Sequence, residues 1–280
     1  MKNWIIGAVL VLAAAAAFYY FKVWQPAQNV IAPAAPPVAE ETAPPPEIPA
    51  VQPGQDEWPE VNLQTAEPAE LEEVPLPMLS DSDPVAREAL GGLMSESDLT
   101  RFIVSENIIP RIVATVDLLG SRQIPGTVQA INGPESSFIA LDNEQPATVI
   151  RNEEGDEIPQ FYIDPSNYQR YTPYVELLEG IDTALLIESY RSHASLFQQA
   201  YRQMGYAEGE FSQRLAVIVD ELLATPAAGE RIELVKPEAY YLFTDPALES
   251  LSAGQKILLR MGNENAARVK AKLAEIRDAL

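Results

Sequence analysis

Residues 182–223, DTALLIESYRSHASLFQQAYRQMGYAEGEFSQRLAVIVDELL, decide the fold class. In the first half Leu186, Tyr190, Phe197 and Tyr201 recur at helical spacing. In the second, Phe211, Leu215, Ile218, Val219 and Leu222 follow at i, i+4, i+7, i+8 and i+11. Gly205 and Gly209 mark a tight connection between them and Pro226 ends the second, so the stretch predicts two helices packed as an antiparallel hairpin. The class expected for the domain is mainly α with a small antiparallel β element (α+β).

Towards the N-terminus, Asp83-Pro84 reads as an N-cap and first-turn proline opening a short helix that Gly91 and Gly92 end. A second helix is expected from Asp98, and a third after Pro110, with Ile112, Val113, Val116 and Leu119 on one side and Gly120 as its stop. Phe138 to Leu141, Ala147 to Arg151 and Ile158 to Ile163 read as short strands, the last two flanking the hairpin-like turn Asn152 to Asp156.

Towards the C-terminus, Tyr240 to Phe243 reads as extended and Asp245-Pro246 as a helix start. Ser252 and Gln255 form a capping-box pair opening Ala253 to Met261, which Gly262 closes. Asn263 is expected to cap the last helix. Its Ala266, Val269, Leu273, Ile276 and Leu280 recur at alternating steps of three and four, a single buried seam, and its other face is basic.

Far upstream, Trp4 to Phe21 is eighteen residues without a charge, between Lys2 and Lys22. As a helix it spans roughly 27 Å, against a hydrocarbon core of about 30 Å. Trp4 at one end and Phe18, Tyr19, Tyr20, Phe21 and Trp24 at the other suit the headgroup layers. Residues 1–24 therefore read as a transmembrane anchor, with a cleaved signal peptide as the competing reading. Residues 25–80 hold thirteen of the 24 prolines, one glycine, ten acids and no base, the composition of a disordered, polyproline-biased linker. Residues 81–280 remain as one mostly helical domain. Lys2 on the short side and the acids on the long side predict an inner-membrane protein with a cytoplasmic N-terminus and a periplasmic domain.

Beyond residue 80 there are 31 acids and 17 bases, a net charge of −14, which opposes nucleic acid as a partner. The chain has no cysteine, so disulfides and thiol nucleophiles are excluded. His193 is the lone histidine and lies on an aromatic-rich helix, where a packed side chain is expected. No glycine-rich phosphate loop is present, and no cofactor or metal is expected. The acidic turn Asn152 to Glu157 lacks the ligand spacing of a calcium loop.

The C-terminal segment is the best binding candidate. From Lys256 onward six bases face three acids, giving +3, whereas residues 81–255 carry −17. Lys256, Arg260, Arg268, Lys270 and Lys272 are the expected partner-binding face; the competing reading is that these bases neutralise the domain's own acids. An alternative of another class is a peptidoglycan-acting hydrolase or lyase. It would use Glu188 of Glu188-Ser189-Tyr190 as a lone carboxyl, raised in pKa by an apolar helix face. The Gly-Leu-Met-Gln string that would follow such an acid is missing.

Several strings together resemble a known family. Val113-Ala114-Thr115-Val116-Asp117, Leu196-Phe197-Gln198-Gln199-Ala200-Tyr201 with Gly205-Tyr206, Asp245-Pro246-Ala247-Leu248-Glu249 and Ser252-Ala253-Gly254-Gln255-Lys256 occur in order. Arg260-Met261-Gly262 and Lys270-Ala271-Lys272-Leu273 follow. The chain resembles, over roughly Leu79 to Leu280, the bacterial family called domain of unknown function 3014. Members share an N-terminal hydrophobic segment and a Pro-rich spacer; the resemblance implies no activity, cofactor or catalytic residue. The resulting expectation is an envelope interaction or scaffold module, with another envelope protein as its partner.

Overall fold

The computed structural model describes residues 77–280 except 147, 230 and 239. The expected span Trp4 to Phe21 and the linker up to residue 76 lie outside the described residues. Among the described residues no helix is long and apolar enough to cross a membrane.

The described chain is mainly helical with a small four-stranded antiparallel sheet. Its helices are α1 (Asp83–Gly91), α2 (Glu96–Phe102), α3 (Ile108–Leu119), α4 (Thr172–Gly180), α5 (Thr183–Gln203), α6 (Phe211–Leu223), α7 (Pro246–Glu249), α8 (Ala253–Arg260) and α9 (Gly262–Ala279). The strands are β1 (Ala140–Asp142), β2 (Gln160–Ile163), β3 (Glu233–Val235) and β4 (Leu242–Phe243), in the spatial order β1-β2-β3-β4.

Helix α3 is central because it is apolar on nearly every side. Ile108, Ile109, Ile112, Val113, Val116 and Leu119 are all buried, and α1, α5, α6 and α8 pack around it. Its start is held from outside. Asn107 sits in the left-handed region at φ 53° and offers no side-chain cap. The Asp83 carboxylate instead accepts the N–H groups of Asn107 and Ile108, each at 2.8 Å. Asp83 thus caps α3 rather than its own helix, and Ser82 stands at the N-cap of α1. Pro110 falls inside the first turn of α3, where its missing N–H costs nothing.

Several local expectations hold. Asp245 caps α7 through Ala247, and Ser252 with Gln255 makes a complete capping box on α8. Asp182, given no role by the sequence reading, caps α5 by accepting the N–H of Leu185. The seam of α9 buries Val269, Leu273 and Ile276, with Ala266 and Leu280 packed at its margins. Asn263 does not cap α9: the chain turns at Gly262, φ +83°, and the Asn263 amide bridges both peptide groups of Ala228. Tyr168 lies so close to Gly262 that an added Cβ would sit 2.8 Å from its ring, so this turn admits only glycine.

The pair α5 and α6 is not a simple hairpin. The helices meet near their joined ends, where Phe197 and Phe211 stack at 5.8 Å between centroids, and each packs more extensively on α3. Helix α9 packs along both as well. Their apolar stripes serve this central helix, which a period reading of two adjacent segments does not reveal.

In the sheet, Ala140, Leu141 and Asp142 pair with Ile163, Tyr162 and Phe161; Gln160 to Tyr162 pair with Val235 to Glu233; and Leu234 and Val235 pair with Phe243 and Leu242. Ile163, Ile232, Leu234, Phe243 and Leu259 form a second, smaller core beneath it. Residues 148–151 form no strand. A single bridge joins Arg151 to Glu157 across the turn, and the Asn143 N–H takes the Gln160 carbonyl, so β1 rather than residues 148–151 pairs with β2.

Candidate functional site

The five cations expected to form a binding face are turned onto the domain itself. Lys256 is buried, and its Nζ donates to Glu249 Oε1 at 2.7 Å and to the Glu249 carbonyl at 3.0 Å. Burial lowers its pKa, and the Glu249 carboxylate opposes that shift. The other oxygen of Glu249 accepts the Phe243 N–H at 2.9 Å, so one carboxylate joins β4 to α8. Arg260 is buried with its guanidinium 4.5 Å from the centroid of Phe243.

On α9, Arg268 grips Glu179 of α4 with two bonds, Nε to Oε1 at 2.9 Å and Nη2 to Oε2 at 2.5 Å. Lys270 donates to the Thr225 carbonyl at the end of α6, and desolvation lowers its pKa. Lys272 pairs with Glu275 at 3.1 Å with its stem packed away from water, and Arg277 reaches Asp220 of α6 at 2.6 Å. The basic side of α9 therefore spreads over α4, α6 and its own next turn, and does not form one free surface.

A buried charge that patterning gave no role lies in the last turn of α3. Asp117 accepts Arg214 Nε at 2.6 Å and the Tyr206 hydroxyl at 3.0 Å, while Arg214 Nη2 donates to the Asp117 carbonyl at 2.8 Å. Hydrogen bonding to Asp117 raises the pKa of Tyr206, whose ring stacks on Tyr201 at 4.5 Å. The arrangement ties α3 to α6 and to the Gly205–Gly209 turn.

Other sequence candidates fall into structural places. His193 is buried with Nδ1 2.9 Å from the Ser189 carbonyl, one turn back on α5. Glu188 is exposed on α5, beside an open groove of about 530 Å³ that also touches Ile187, Arg191 and Ala279. The apolar burial that a lone catalytic carboxyl needs is not around it. The turn after Arg151 is exposed; Asn152 Oδ1 accepts the Asp156 N–H at 2.8 Å and Arg151 pairs with Glu157 at 2.7 Å. Among the described residues no cluster of metal-ligating side chains occurs.

The edge of the sheet is different. The Asn143 N–H donates to Gln160 and the Asp164 N–H to Ile139. In an antiparallel ladder the alternate residues Ala140 and Asp142 then turn their peptide groups away from β2. β1 is the last strand of the sheet, so among the described residues no strand pairs with that side. Apolar side chains stand exposed along it: Ile139 at 47% and Leu141 at 37%. Leu141 lies across from Tyr162, whose ring carries the Arg231 guanidinium at 3.8 Å, so the outer face is part apolar and part cationic.

With this geometry in place, comparison with known families shows that residues 108–277 match the model described as Protein of unknown function (DUF3014). The chain belongs to this family. No curated protein and no solved structure matches it. The DUF3014 span runs from the first residue of α3 into the last turn of α9, and so takes in the Asp117 cluster, the cation pairs and the β1 edge. Helices α1 and α2 precede it, although Asp83 of α1 caps the helix with which the span opens. Phe138 to Leu141 was legible as a strand. That it ends the sheet was not, because edge position depends on β3 and β4, which arrive ninety residues and more later.

Proposed function

We propose that this DUF3014 protein is a single-pass envelope protein, anchored by Trp4 to Phe21 with its domain on the periplasmic side, and that the domain binds another envelope protein. The observation that carries the binding reading is the β1 edge, with outward peptide groups at Ala140 and Asp142 and exposed Ile139 and Leu141. An uncovered edge is a template for an added strand, in which main-chain hydrogen bonds supply affinity and alternate side-chain pockets supply selectivity. Support for the anchor comes from the charge-free length of residues 4–21 and the proline-rich, base-free stretch that follows.

The test is site-specific photocrosslinking in whole cells with the anchor intact. A crosslinker at Leu141 is expected to capture one envelope protein that a crosslinker at Val217, exposed on α6, does not. Equal capture at both sites, or none at Leu141, removes the proposal. A C-terminal reporter active only outside the cytoplasm tests orientation separately; an inactive reporter places the domain on the other side.

A further inference from the structure

The charges around β1 narrow what can pair with it. Between Arg122 and Arg151 the chain holds no base and three acids, Glu135, Asp142 and Glu144, all of them exposed. Among the described residues none of the three takes part in an ion pair. Side chains alternate along the strand, so Asp142 shares a face with Ala140 while Ile139 and Leu141 stand on the other. Arg231 lies over the ring of Tyr162, the residue across from Leu141, and so occupies the face that Asp142 does not use. Arg170 donates to Ser136 and Asn167, and Lys236 lies 5.0 Å from the centroid of the Tyr241 ring. These bases already have partners, and Asp142 and Glu144 face water unmatched.

The same charges decide between a second copy of this chain and a foreign strand. A second copy paired along β1 would bring its own Asp142 and Glu144 to the edge, and each copy carries a net −14 beyond residue 80. Self-pairing therefore adds acid to acid. A foreign antiparallel strand takes the outward peptide groups of Ala140 and Asp142, and the side chain directly across from Asp142 lies close enough for an opposite charge to stabilise the pair.

We propose that the occupant of the β1 edge is a basic, alternating segment of another protein, with apolar side chains facing Ile139 and Leu141 and a lysine or arginine facing Asp142. The inference rests on the reading of β1 as a binding edge and specifies the chemistry of what binds there. Main-chain hydrogen bonds supply the attachment, and Asp142 with Glu144 selects among the strands that could make them.

The test uses the purified full-length protein in neutral detergent and three fluorescein-labelled peptides of five residues, alternating valine with lysine, threonine or glutamate. Fluorescence polarisation is expected to show the lysine peptide binding about ten-fold more tightly than the glutamate peptide at low salt, with threonine between them and the gap closing as salt rises. Asp142→Lys should reverse the order of the lysine and glutamate peptides. Ala140→Pro removes one outward N–H and no charge, and should abolish binding of all three while the helical circular dichroism is unchanged. Lysine-peptide binding that survives Ala140→Pro overturns the proposal, because the net charge of the domain then suffices. Equal binding of the three peptides, all lost in Ala140→Pro, overturns the basic chemistry and leaves the edge reading standing. Binding of none overturns the proposal too, and capture at Leu141 in cells then shows whether the edge reading survives it. A Leu141→Cys protein that forms a disulfide-linked dimer assigns the edge to a second copy and overturns the proposal in that way.

Discussion

Around Asp117 an interior charge is matched by Arg214 and Tyr206 from two other segments, whereas along β1 the peptide groups of Ala140 and Asp142 face outward among exposed apolar side chains. The two regions lie in one domain and differ in what would happen if a group were removed. In the first, a vacated partner leaves a polar group buried without compensation. In the second, water already solvates whatever is changed. Regions of the first kind hold a fold together, and regions of the second kind are where another molecule is accommodated without disturbing it.

The largest expected effect comes from breaking the interior arrangement. Arg214→Ala leaves the buried Asp117 carboxylate with only the Tyr206 hydroxyl and should cost about 3 kcal/mol, read as a fall in the midpoint of chemical denaturation. A cost below about 1 kcal/mol would mean that water reaches Asp117 freely and that the contrast with the sheet edge is overdrawn. Next is Gly254→Ala on α8. Its Cβ would lie 2.5 Å from Leu222 Cδ2 and 3.2 Å from the Leu119 carbonyl, so α8 must move off α3 and α6, at a cost of about 2 kcal/mol.

At the edge the prediction is dissociation of stability from binding. Leu141→Lys should change stability by less than about 0.5 kcal/mol, since the side chain is exposed and a lysine suits a free edge. The same substitution should abolish capture of an envelope partner through β1. If it destabilises the domain as much as Gly254→Ala, the strand is part of the core and the proposed contact is lost with it.

How much of this was legible follows from the range of the signals. Caps and boxes are settled within four residues, so Asp245 and Ser252 with Gln255 read correctly from the chain. Asp83 did not, because the helix it caps begins 25 residues later, and two helix starts compete for one carboxylate. β3 was missed altogether: three residues offer no alternation to read, and Glu233 to Val235 become a strand only by pairing with β2 and β4. The basic stripe of α9 was visible as composition. Its use was not, since Arg268 finds Glu179 at a separation of 89 residues and Lys270 finds a carbonyl at the end of α6.

The smallest effect distinguishes pairs at the rim from the pair inside. Hydrogen bonding to Arg268 lowers the pKa of Glu179, hydrogen bonding to Arg277 lowers that of Asp220, and Lys272 with Thr183 lowers that of Glu275. A carboxylate whose pKa is lower in the folded state contributes stability above its unfolded value, near 4.5 for glutamate, and loses it as pH falls through the folded value. Stability should therefore decline as pH drops below about 4.5, and Glu179→Gln should flatten part of that slope. Because Glu179 and Arg268 are both about a third exposed, solvent screens the pair, and its removal at neutral pH should cost less than about 1 kcal/mol. Salt sharpens the distinction: raising ionic strength should erase most of the Glu179→Gln effect while leaving that of Arg214→Ala nearly intact, because the Asp117 carboxylate is shielded from mobile ions. If salt erased both alike, Asp117 would belong with the rim, and the line drawn between a closed interior and an open edge would have to move.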